Sequence, residues 1–334
     1  RVSPRFRTVG GMSTSLTGPD LELTLESHRR ELTGFCYRML GAASEAEDAV
    51  QETMVRAWRA ADTFEGRSSA RTWLYRIASN VCTDMHRSPQ RRARPMDMGP
   101  STRTAEVVLG TPHAEDTFVQ PVADDRVIVA DGDPAEVAAA RESVRLAFVA
   151  ALQHLPPRQR SVLILCEVLR WQAAEVADLL DTSVPSVNSA LQRARATLAT
   201  LQGPPLDDTL SEEHQELLRR YVDAFERYDM SALVQLLRDD VVLSMPPYDT
   251  WPTGPRDVVD WMLGQGIGCK GGRLVPVAVN GTAGFGNYRM TRPGLWEPFA
   301  VQVIEVRGGL VSGHHNFLYP ESFADFGLPP RLTD

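Results

Sequence analysis

The chain is poor in lysine, in cysteine and in long apolar runs. Its only lysine is Lys270, so nearly all of the 35 basic residues are arginine. The four cysteines lie far apart, with no CxxC pair and no histidine at ligand spacing. This argues against a disulfide framework or a zinc site and indicates a reducing compartment. No run approaches the roughly 18 apolar residues of a membrane helix. We therefore expect a cytoplasmic protein with no membrane insertion, no metal and no cofactor.

Motifs for catalysis are also missing. The sequence contains no paired carboxylates, no metal-ligand cluster and no nucleophile motif, so we expect no enzyme activity. Residues 1–20 begin with several arginines but no apolar segment follows them, so they do not form a signal peptide. We expect this segment to be a disordered arm, with Met12 a candidate for the true start.

The net charge of −8 is unevenly distributed. Residues 1–95 carry 15 basic and 11 acidic side chains, and residues 135–202 carry 7 and 6. Residues 96–134 carry 2 basic and 8 acidic side chains, and residues 203–334 carry 11 and 18. The two weakly positive segments can approach nucleic acid, but their small excess of charge predicts weak binding to free duplex.

Hydrophobic periodicity divides the 334 residues into several units. Residues 21–94 and 135–202 have helical patterns. Residues 95–134 lose periodicity and are rich in Pro, Gly and Asp, which predicts a flexible acidic linker. Residues 203–334, the tail, show helices followed by strand-like runs separated by glycine. The predicted fold is multidomain, with two all-α modules and an α+β domain that has a curved antiparallel sheet.

The second helical segment contains a helix-turn-helix pattern. In QAAEVADLLDTSVPSVNSALQRARATL, a first helix over residues 172–180 precedes a tight turn and a second helix. Ser183 is the candidate N-cap of that second helix and Pro185 lies in its first turn. Its polar side carries small, hydrogen-bonding and basic groups that suit a DNA major groove. These candidates are Ser186, Asn188, Ser189, Gln192, Arg193 and Arg195.

The stretch RTWLYRIASNVCTDMHR, residues 71–87, combines aromatic rings, basic ends and a polar pair one helical turn apart. Stacking surfaces, hydrogen-bonding groups and positive charge are what the capture of exposed bases requires. Each residue also has a structural interpretation. Trp73 lies on the apolar stripe and is expected in the core, while Asn80 and Asp84 taken alone are typical capping or solvated residues.

Two stretches resemble one known family. SEAEDAVQETMVRAWRAADTFEGRSSARTWLYRIASNVCTDMHR resembles region 2 of bacterial RNA polymerase sigma factors of the extracytoplasmic-function (ECF) group. LPPRQRSVLILCEVLRWQAAEVADLLDTSVPSVNSALQRARATL resembles their region 4. The tail, through YVDAFERYDMSALVQLLRDDVVLSMPP, is similar to a cone-shaped SnoaL-like domain. The resemblance implies a sigma factor that binds core RNA polymerase and directs promoter-specific initiation, with a regulatory tail.

The family's functional residues carry over to matching positions. The resemblance implies that the −10 element is bound by Phe64, Arg67, Ser68, Arg71, Tyr75, Arg76, Asn80, Asp84 and Arg87. It implies docking on the β′ clamp helices through Asp48, Gln51 and Glu52, and a second polymerase contact at the β flap. Arg158 and Arg160 suit phosphates of the −35 element. Val184 and Pro185 stand where the family often has Gly and Thr, so the promoter sequence does not carry over.

The tail leaves alternatives open. Its candidate pocket residues are Tyr248, Trp251, Trp261, Trp296, His314 and His315. Neighbouring residues of a strand face opposite sides, so at most one of the two histidines faces a cavity. Core packing also explains the tryptophans. The alternatives are a bifunctional protein whose tail senses a ligand or catalyses a reaction, and a regulator that binds DNA without polymerase. An anti-sigma factor and a small molecule are further candidate partners.

Overall fold

The computed structural model describes most of the chain. The described ranges are 19–64, 66, 68–85, 92–107, 109–129, 133–201, 205–207 and 211–334. Within these ranges, no helix is both long enough and apolar enough to cross a membrane. As predicted, the fold is helical in its first part and α+β in its last part.

Three helices form the N-terminal unit. They are α1 (Pro19–Leu40), α2 (Ala43–Ala60) and α3 (Ala70–Met85). A 3₁₀ turn over Ala61–Thr63 follows α2. The apolar stripes of the three helices face one another, and Leu32, Val50 and Leu74 are fully buried between them.

The segment between the two helical units is ordered in its described ranges, although its composition predicts a flexible linker. It contains α4 (Pro95–Met98), a 3₁₀ turn and α5 (Asp124–Val127). Phe118, Val119 and Val122 are buried, and Val119 and Val122 join the core that the other units share. Burial of these few apolar side chains offsets the conformational entropy that the segment loses when it becomes ordered. The overall composition of the segment does not reveal them, because polar residues outnumber them.

Five helices form the helix-turn-helix unit. They are α6 (Pro134–Glu142), α7 (Leu146–Gln153), α8 (Pro157–Leu163), α9 (Ala173–Leu179) and α10 (Val184–Ala199). A π-helical turn, Ile164–Val168, extends α8. As predicted, Ser183 caps α10, with its Oγ accepting a hydrogen bond from the Ser186 amide at 3.4 Å.

The tail consists of helices α11 to α13 and strands β1 to β6. The helices are α11 (Glu212–Glu226), α12 (Met230–Val234) and α13 (Pro255–Leu263). The strands are β1 (Leu237–Ser244), β2 (Arg273–Val279), β3 (Thr282–Arg292), β4 (Leu295–Arg307), β5 (Leu310–Phe317) and β6 (Leu332–Thr333). The sheet order is β1-β5-β4-β3-β2, with β6 against β4.

The sheet differs from the prediction in one pairing. Strands β2 to β5 form the expected antiparallel meander, but β1 runs parallel to β5. Parallel neighbours need a long connection, which α13 and the meander supply here. The sheet is therefore mixed.

The buried apolar residues of the described ranges form two cores. One lies inside the tail, between its helices and one face of the sheet. The other runs without interruption through the N-terminal unit, the linker and the helix-turn-helix unit to the opposite face of the sheet, where it includes Val301, Val303 and Phe317. The tail is thus packed against both helical units and not suspended from them.

Candidate nucleic-acid and polymerase interface

The polar side of α10 is fully open to solvent. All six residues expected to contact the −35 element are exposed: Ser186, Asn188, Ser189, Gln192, Arg193 and Arg195. The opposite side is anchored by Val187, Ala194 and Leu198, which are buried. Arg195 pairs with Glu167 of the π-helical turn. Helix α10 therefore presents a continuous hydrogen-bonding surface of the kind that enters a major groove.

The two arginines expected to contact phosphates have different environments. Arg158 lies at the solvent-facing start of α8 and is not buried. Arg160 has 0% exposure, which corrects its assignment as a phosphate contact. Its guanidinium donates to Gln153 Oε1 at 2.7 Å, to the Leu155 carbonyl at 3.0 Å and to the Met39 carbonyl of α1. Arg160 satisfies buried acceptors between two units because its long side chain points inward from α8.

The residues expected at the −10 element fall into two groups, those that solvent reaches and those that the helix-turn-helix unit covers. Asn80 and Asp84 are exposed on α3, and Asp84 pairs with Arg56 at 3.2 Å. Phe64 lies against Trp73, with ring centroids 4.9 Å apart, and Trp73, expected in the core, is only half-buried. Ser68 is half-buried, and Arg67 and Arg87 lie outside the described residues.

The second group is covered by the helix-turn-helix unit. Tyr75 is fully buried between Phe35 and Trp171, whose ring centroids are 5.2 and 5.1 Å away. Arg71 stacks on Trp171 and donates to Glu31 at 2.8 Å. Burial raises the pKa of Glu31, but hydrogen bonds from His28 and Arg71 outweigh it and leave that pKa below its usual value. Tyr75 is therefore unavailable for stacking on a base in this conformation.

Arg76 also contacts the helix-turn-helix unit. Its Nη2 donates to the Asp178 carbonyl at 2.8 Å and its Nε to the Leu179 carbonyl at 3.2 Å. These carbonyls form the C-terminal end of α9, where the helix dipole favours a cation. One turn further along α3, the Ser79 hydroxyl lies 2.9 Å from that of Ser161 on α8. Part of the expected −10 surface is thus an internal interface.

The expected polymerase-docking face on α2 is open. Asp48 and Gln51 are exposed, and Glu52 pairs with Arg56 at 2.7 Å. Trp58 is 53% exposed, and Val55 is 43% exposed. The reason is angular: Trp58 lies two turns after Gln51 and shares its side of the helix. The face is therefore polar with an apolar end.

Sequence reasoning missed Asn280, which occupies the turn between β2 and β3. Asn280 and Gly281 have φ of 50° and 67°, and Val279 faces Thr282 across the turn. Asn-Gly is the preferred dipeptide for a two-residue hairpin turn of this kind, because both positions need positive φ. The dipeptide predicts the turn, but nothing local indicates what the turn touches.

The Asn280 side chain joins three parts of the chain. Its Nδ2 donates to the Tyr37 hydroxyl at 2.6 Å and to the Val144 carbonyl at 2.7 Å. Its Oδ1 accepts from the Val122 amide at 3.0 Å. These partners belong to α1, to the start of the helix-turn-helix unit and to the linker. We call this contact the Asn280 junction.

Gly281 adds a close approach to the Asn280 junction. Its amide donates to Asp124 Oδ1 at 2.7 Å. Burial raises the pKa of Asp124 to about 6. A Cβ atom at position 281 would overlap the Arg141 carbonyl oxygen, so a side chain there cannot be accommodated without movement of the backbone.

The tail encloses a cavity of about 250 Å³. Tyr248, Trp261 and His314 line it as expected. His315 lies on the other face of β5, with Nδ1 2.8 Å from Ser244 Oγ, as strand alternation requires.

Two tryptophans are absent from the cavity wall, which corrects their assignment to the pocket. The Trp251 indole N–H donates to the Gly99 carbonyl of the linker at 3.0 Å. The Trp296 indole N–H donates to the Gly271 carbonyl at 2.8 Å, and Arg273 stacks on its ring.

We expect a His314→Gln variant to flatten the pH dependence of unfolding. Burial, aided by His315, lowers the pKa of His314 to about 3, so the folded imidazole stays neutral while the unfolded one gains a proton below about pH 6.5. Its stabilisation is complete above pH 6.5 and is lost as pH falls towards 3, by up to about 1.4 kcal/mol per pH unit. Urea unfolding at pH 7 and pH 5 measures this, with His154→Gln as control. An equal change in the free energy of unfolding between pH 7 and pH 5 in the wild type and H314Q would contradict the expectation.

An exposed polar face on the second helix of a helix-turn-helix is typical of proteins that bind DNA in a sequence-specific way. Residues 24–92 match Sigma-70 region 2, and residues 145–198 match Sigma-70, region 4. The chain is 42% identical over 320 residues to the ECF RNA polymerase sigma factor SigG of Mycobacterium tuberculosis, covering 94% of this chain and 85% of that protein. The chain belongs to the ECF RNA polymerase sigma factors.

Two further comparisons extend the match over the tail. ECF RNA polymerase sigma factor SigJ of M. tuberculosis is 29% identical over 321 residues, covering 92% of this chain and 94% of that protein. The crystal structure of SigJ has a TM-score of 0.60 at 24% identity and covers 92% of this chain and 100% of that one, which shows a common fold. The protein is thus a sigma factor that directs promoter-specific transcription by core RNA polymerase, with an α+β tail.

Proposed function

We propose that the tail holds this sigma factor in a closed state and that core RNA polymerase releases it. The observation that carries the proposal is the Asn280 junction, where one side chain of the tail binds α1, the linker and the helix-turn-helix unit together. The tail thereby takes the place of a separate anti-sigma protein.

The closed state excludes the −10 element but not the −35 element. Tyr75 and Arg76 are engaged by the helix-turn-helix unit, and single-stranded bases cannot occupy a surface that is already an interface. The outer side of α10 remains open. In the open state, Tyr75 and Arg76 join Asn80 and Asp84 as one base-binding surface, while α10 reads the −35 element.

Polymerase can reach its docking site before the chain opens. Asp48 and Gln51 are exposed in the closed state, and in our proposal they meet the β′ clamp helices, while the β flap receives the helix-turn-helix unit. Arg126 of the linker pairs with Glu47, the neighbour of Asp48, and with Asp325 of the tail at 3.3 Å. A partner that competes for this side of α2 weakens the link from the linker to the tail.

The energies involved are within reach of such a partner. A typical intramolecular hydrogen bond contributes about 0.5–1.5 kcal/mol net. The three bonds of Asn280 therefore amount to a few kcal/mol, similar to the roughly 1–3 kcal/mol of many allosteric couplings. A docking interface of ordinary size can offset this amount.

A Gly281→Ala variant tests the proposal. The added methyl overlaps the Arg141 carbonyl, so we expect the Asn280 junction to open and single-round run-off transcription with core polymerase to rise about tenfold, equivalent to about 1.4 kcal/mol. The radius of gyration in small-angle X-ray scattering should rise as well.

The matched control is Gly309→Ala. Gly309 also has positive φ, 71°, but no atom of the described residues lies within 4 Å of the place that its added methyl group would occupy. The same backbone strain therefore arises without the overlap. Asn280→Ala serves as a second test, because it removes the hydrogen bonds without adding bulk. Compact scattering and unchanged transcription in both G281A and N280A would overturn the proposal.

A further inference from the structure

We infer that the tail cavity is a binding site for a small apolar monocarboxylate, and that the linker closes its mouth. The cavity of about 250 Å³ lies between α13 and the inner face of the sheet. At roughly 30 Å³ per water molecule in the liquid, it has room for a compound with about the bulk of eight waters. This is the size of a single substituted ring or a short branched chain.

The walls of the cavity are apolar. Phe225, Leu243, Trp261 and Phe299 contribute aromatic and aliphatic surface to it. Enclosed apolar walls with few polar groups are the usual composition of a small-molecule site. Such walls favour a ligand that is mostly apolar, because each polar ligand group without a partner in the cavity would cost free energy.

One positive charge faces this apolar cavity. Arg289 lines it, and among the described residues no carboxylate lies within ion-pair distance of its guanidinium. The guanidinium stacks on Phe299, one Nη lies 3.5 Å from Cys269 Sγ, and its buried Nε has no hydrogen-bond partner in the described part of the chain. An arginine without a counter-charge at an apolar cavity suits a carboxylate, which it can bind through two parallel hydrogen bonds.

Further polar groups lie on the cavity wall. Gln302 is almost fully buried, its Oε1 accepts from the Tyr221 hydroxyl at 3.2 Å, and its Nε2 is a donor without a partner among the described residues. His314 lies beside them, 3.1 Å from the same hydroxyl. A buried unpaired donor costs free energy that a ligand oxygen would recover. The site therefore also accepts a carbonyl or hydroxyl on the ligand.

The mouth of the cavity is covered by linker residues 99–107 and 109–113, which we call the strap. Leu109 lines the cavity, and Gln265 Nε2 donates to the Val107 carbonyl at 2.8 Å. The bond from Trp251 to the Gly99 carbonyl secures the other end of the strap. The strap therefore forms one edge of the cavity entrance. The same linker continues to the Asn280 junction, so ligand binding and closure are linked; this coupling rests on the proposed function, but the binding itself does not.

The test uses the full chain and three acids: benzoate, 3-phenylpropionate and 2-naphthoate. Isothermal titration should show binding of at least one acid by the wild type, and at least tenfold weaker binding of its carboxamide. Arg289→Gln should lose at least tenfold in affinity for that acid, whereas Arg292→Gln should not change it. Arg292 is the matched control, because it is an exposed arginine three residues further along β3.

Three outcomes would overturn the inference. They are no binding of any of the three acids up to about 5 mM, equal affinity for acid and amide, and equal affinity of R289Q and wild type. Hydrogen exchange of strap residues 99–107 should change on binding. Gly281→Ala should still bind the acid, so a failure of the ligand site and a failure of the closed-state proposal give different results.

Discussion

Oxidation of a Ser79→Cys/Ser161→Cys variant should reduce run-off transcription with core polymerase by roughly 100-fold, and reduction should restore it. The two hydroxyl oxygens are 2.9 Å apart and both side chains are buried, one on α3 and one on α8. Cysteine sulfurs placed there can form a disulfide with little adjustment. The bond would hold the helix-turn-helix unit on the face of α3 that we expect to bind the −10 element.

The size of the effect follows from the populations of the open and closed states. Activity scales with the fraction of protein in the binding-competent state, and a covalent bond between the two units lowers that fraction by far more than a few hydrogen bonds do. The variant also carries its own control, because we expect the same sample to regain activity when dithiothreitol reduces the disulfide. That reversal separates closure from misfolding.

Single variants are the necessary controls. Cys82 lies one turn from Ser79 and is buried together with Cys36, so oxidised Ser79→Cys alone reports any pairing with native cysteines. Ser161→Cys alone reports the effect of the second substitution. Mass spectrometry identifies the disulfide. Full activity of the cross-linked protein would show that polymerase uses the closed arrangement, and the proposed function would fail.

Arg160→Met should destabilise the protein by several kcal/mol, because each buried acceptor left without a hydrogen bond costs about 1–3 kcal/mol. The substitution leaves the carbonyls of Met39 and Leu155 and the amide oxygen of Gln153 without their donor. Urea unfolding followed by circular dichroism measures the loss. Transcription should fall because the helix-turn-helix unit loses its attachment to α1, not because a phosphate contact is missing.

Arg158→Met is the matched control and should behave in the opposite way. Arg158 is not buried, so stability should change by no more than about 0.5 kcal/mol. If Arg158 contacts a phosphate, R158M should make the slope of log K against log salt concentration, for promoter binding by the polymerase complex, shallower by about one unit. A stable R160M with weaker salt dependence would restore the original assignment of Arg160, and an R158M without effect on the salt dependence would contradict that of Arg158.

The sequence predicts most of the elements and much of the candidate site. The N-cap at Ser183, the open face of α10 and the alternation of His314 and His315 follow from periods of 3.6 and 2 residues. These are local properties, and a short window contains them. The parallel pairing of β1 with β5 is not local, and the prediction of an antiparallel sheet missed it.

Which arginine is buried could not be predicted in the same way. Arg158 and Arg160 are two residues apart on one helix, and both look like phosphate contacts in a linear reading. Burial of Arg160 depends on α1, whose Met39 carbonyl is 121 residues away in the chain. In the same way, the burial of Tyr75 depends on Trp171, and the hydrogen bonds of Arg76 depend on the C-terminal end of α9.

The amino-acid sequence by itself determined the helices, the recognition face, the tail's strands and the family of this protein, because each depends on neighbouring residues or on motif spacing. Only the tertiary structure decided that the two DNA-binding units face each other and that Asn280 of the tail joins them. The physical reason is distance along the chain. Asn280 and Tyr37 are 243 residues apart, and their hydrogen bond exists only once every unit between them has folded and packed.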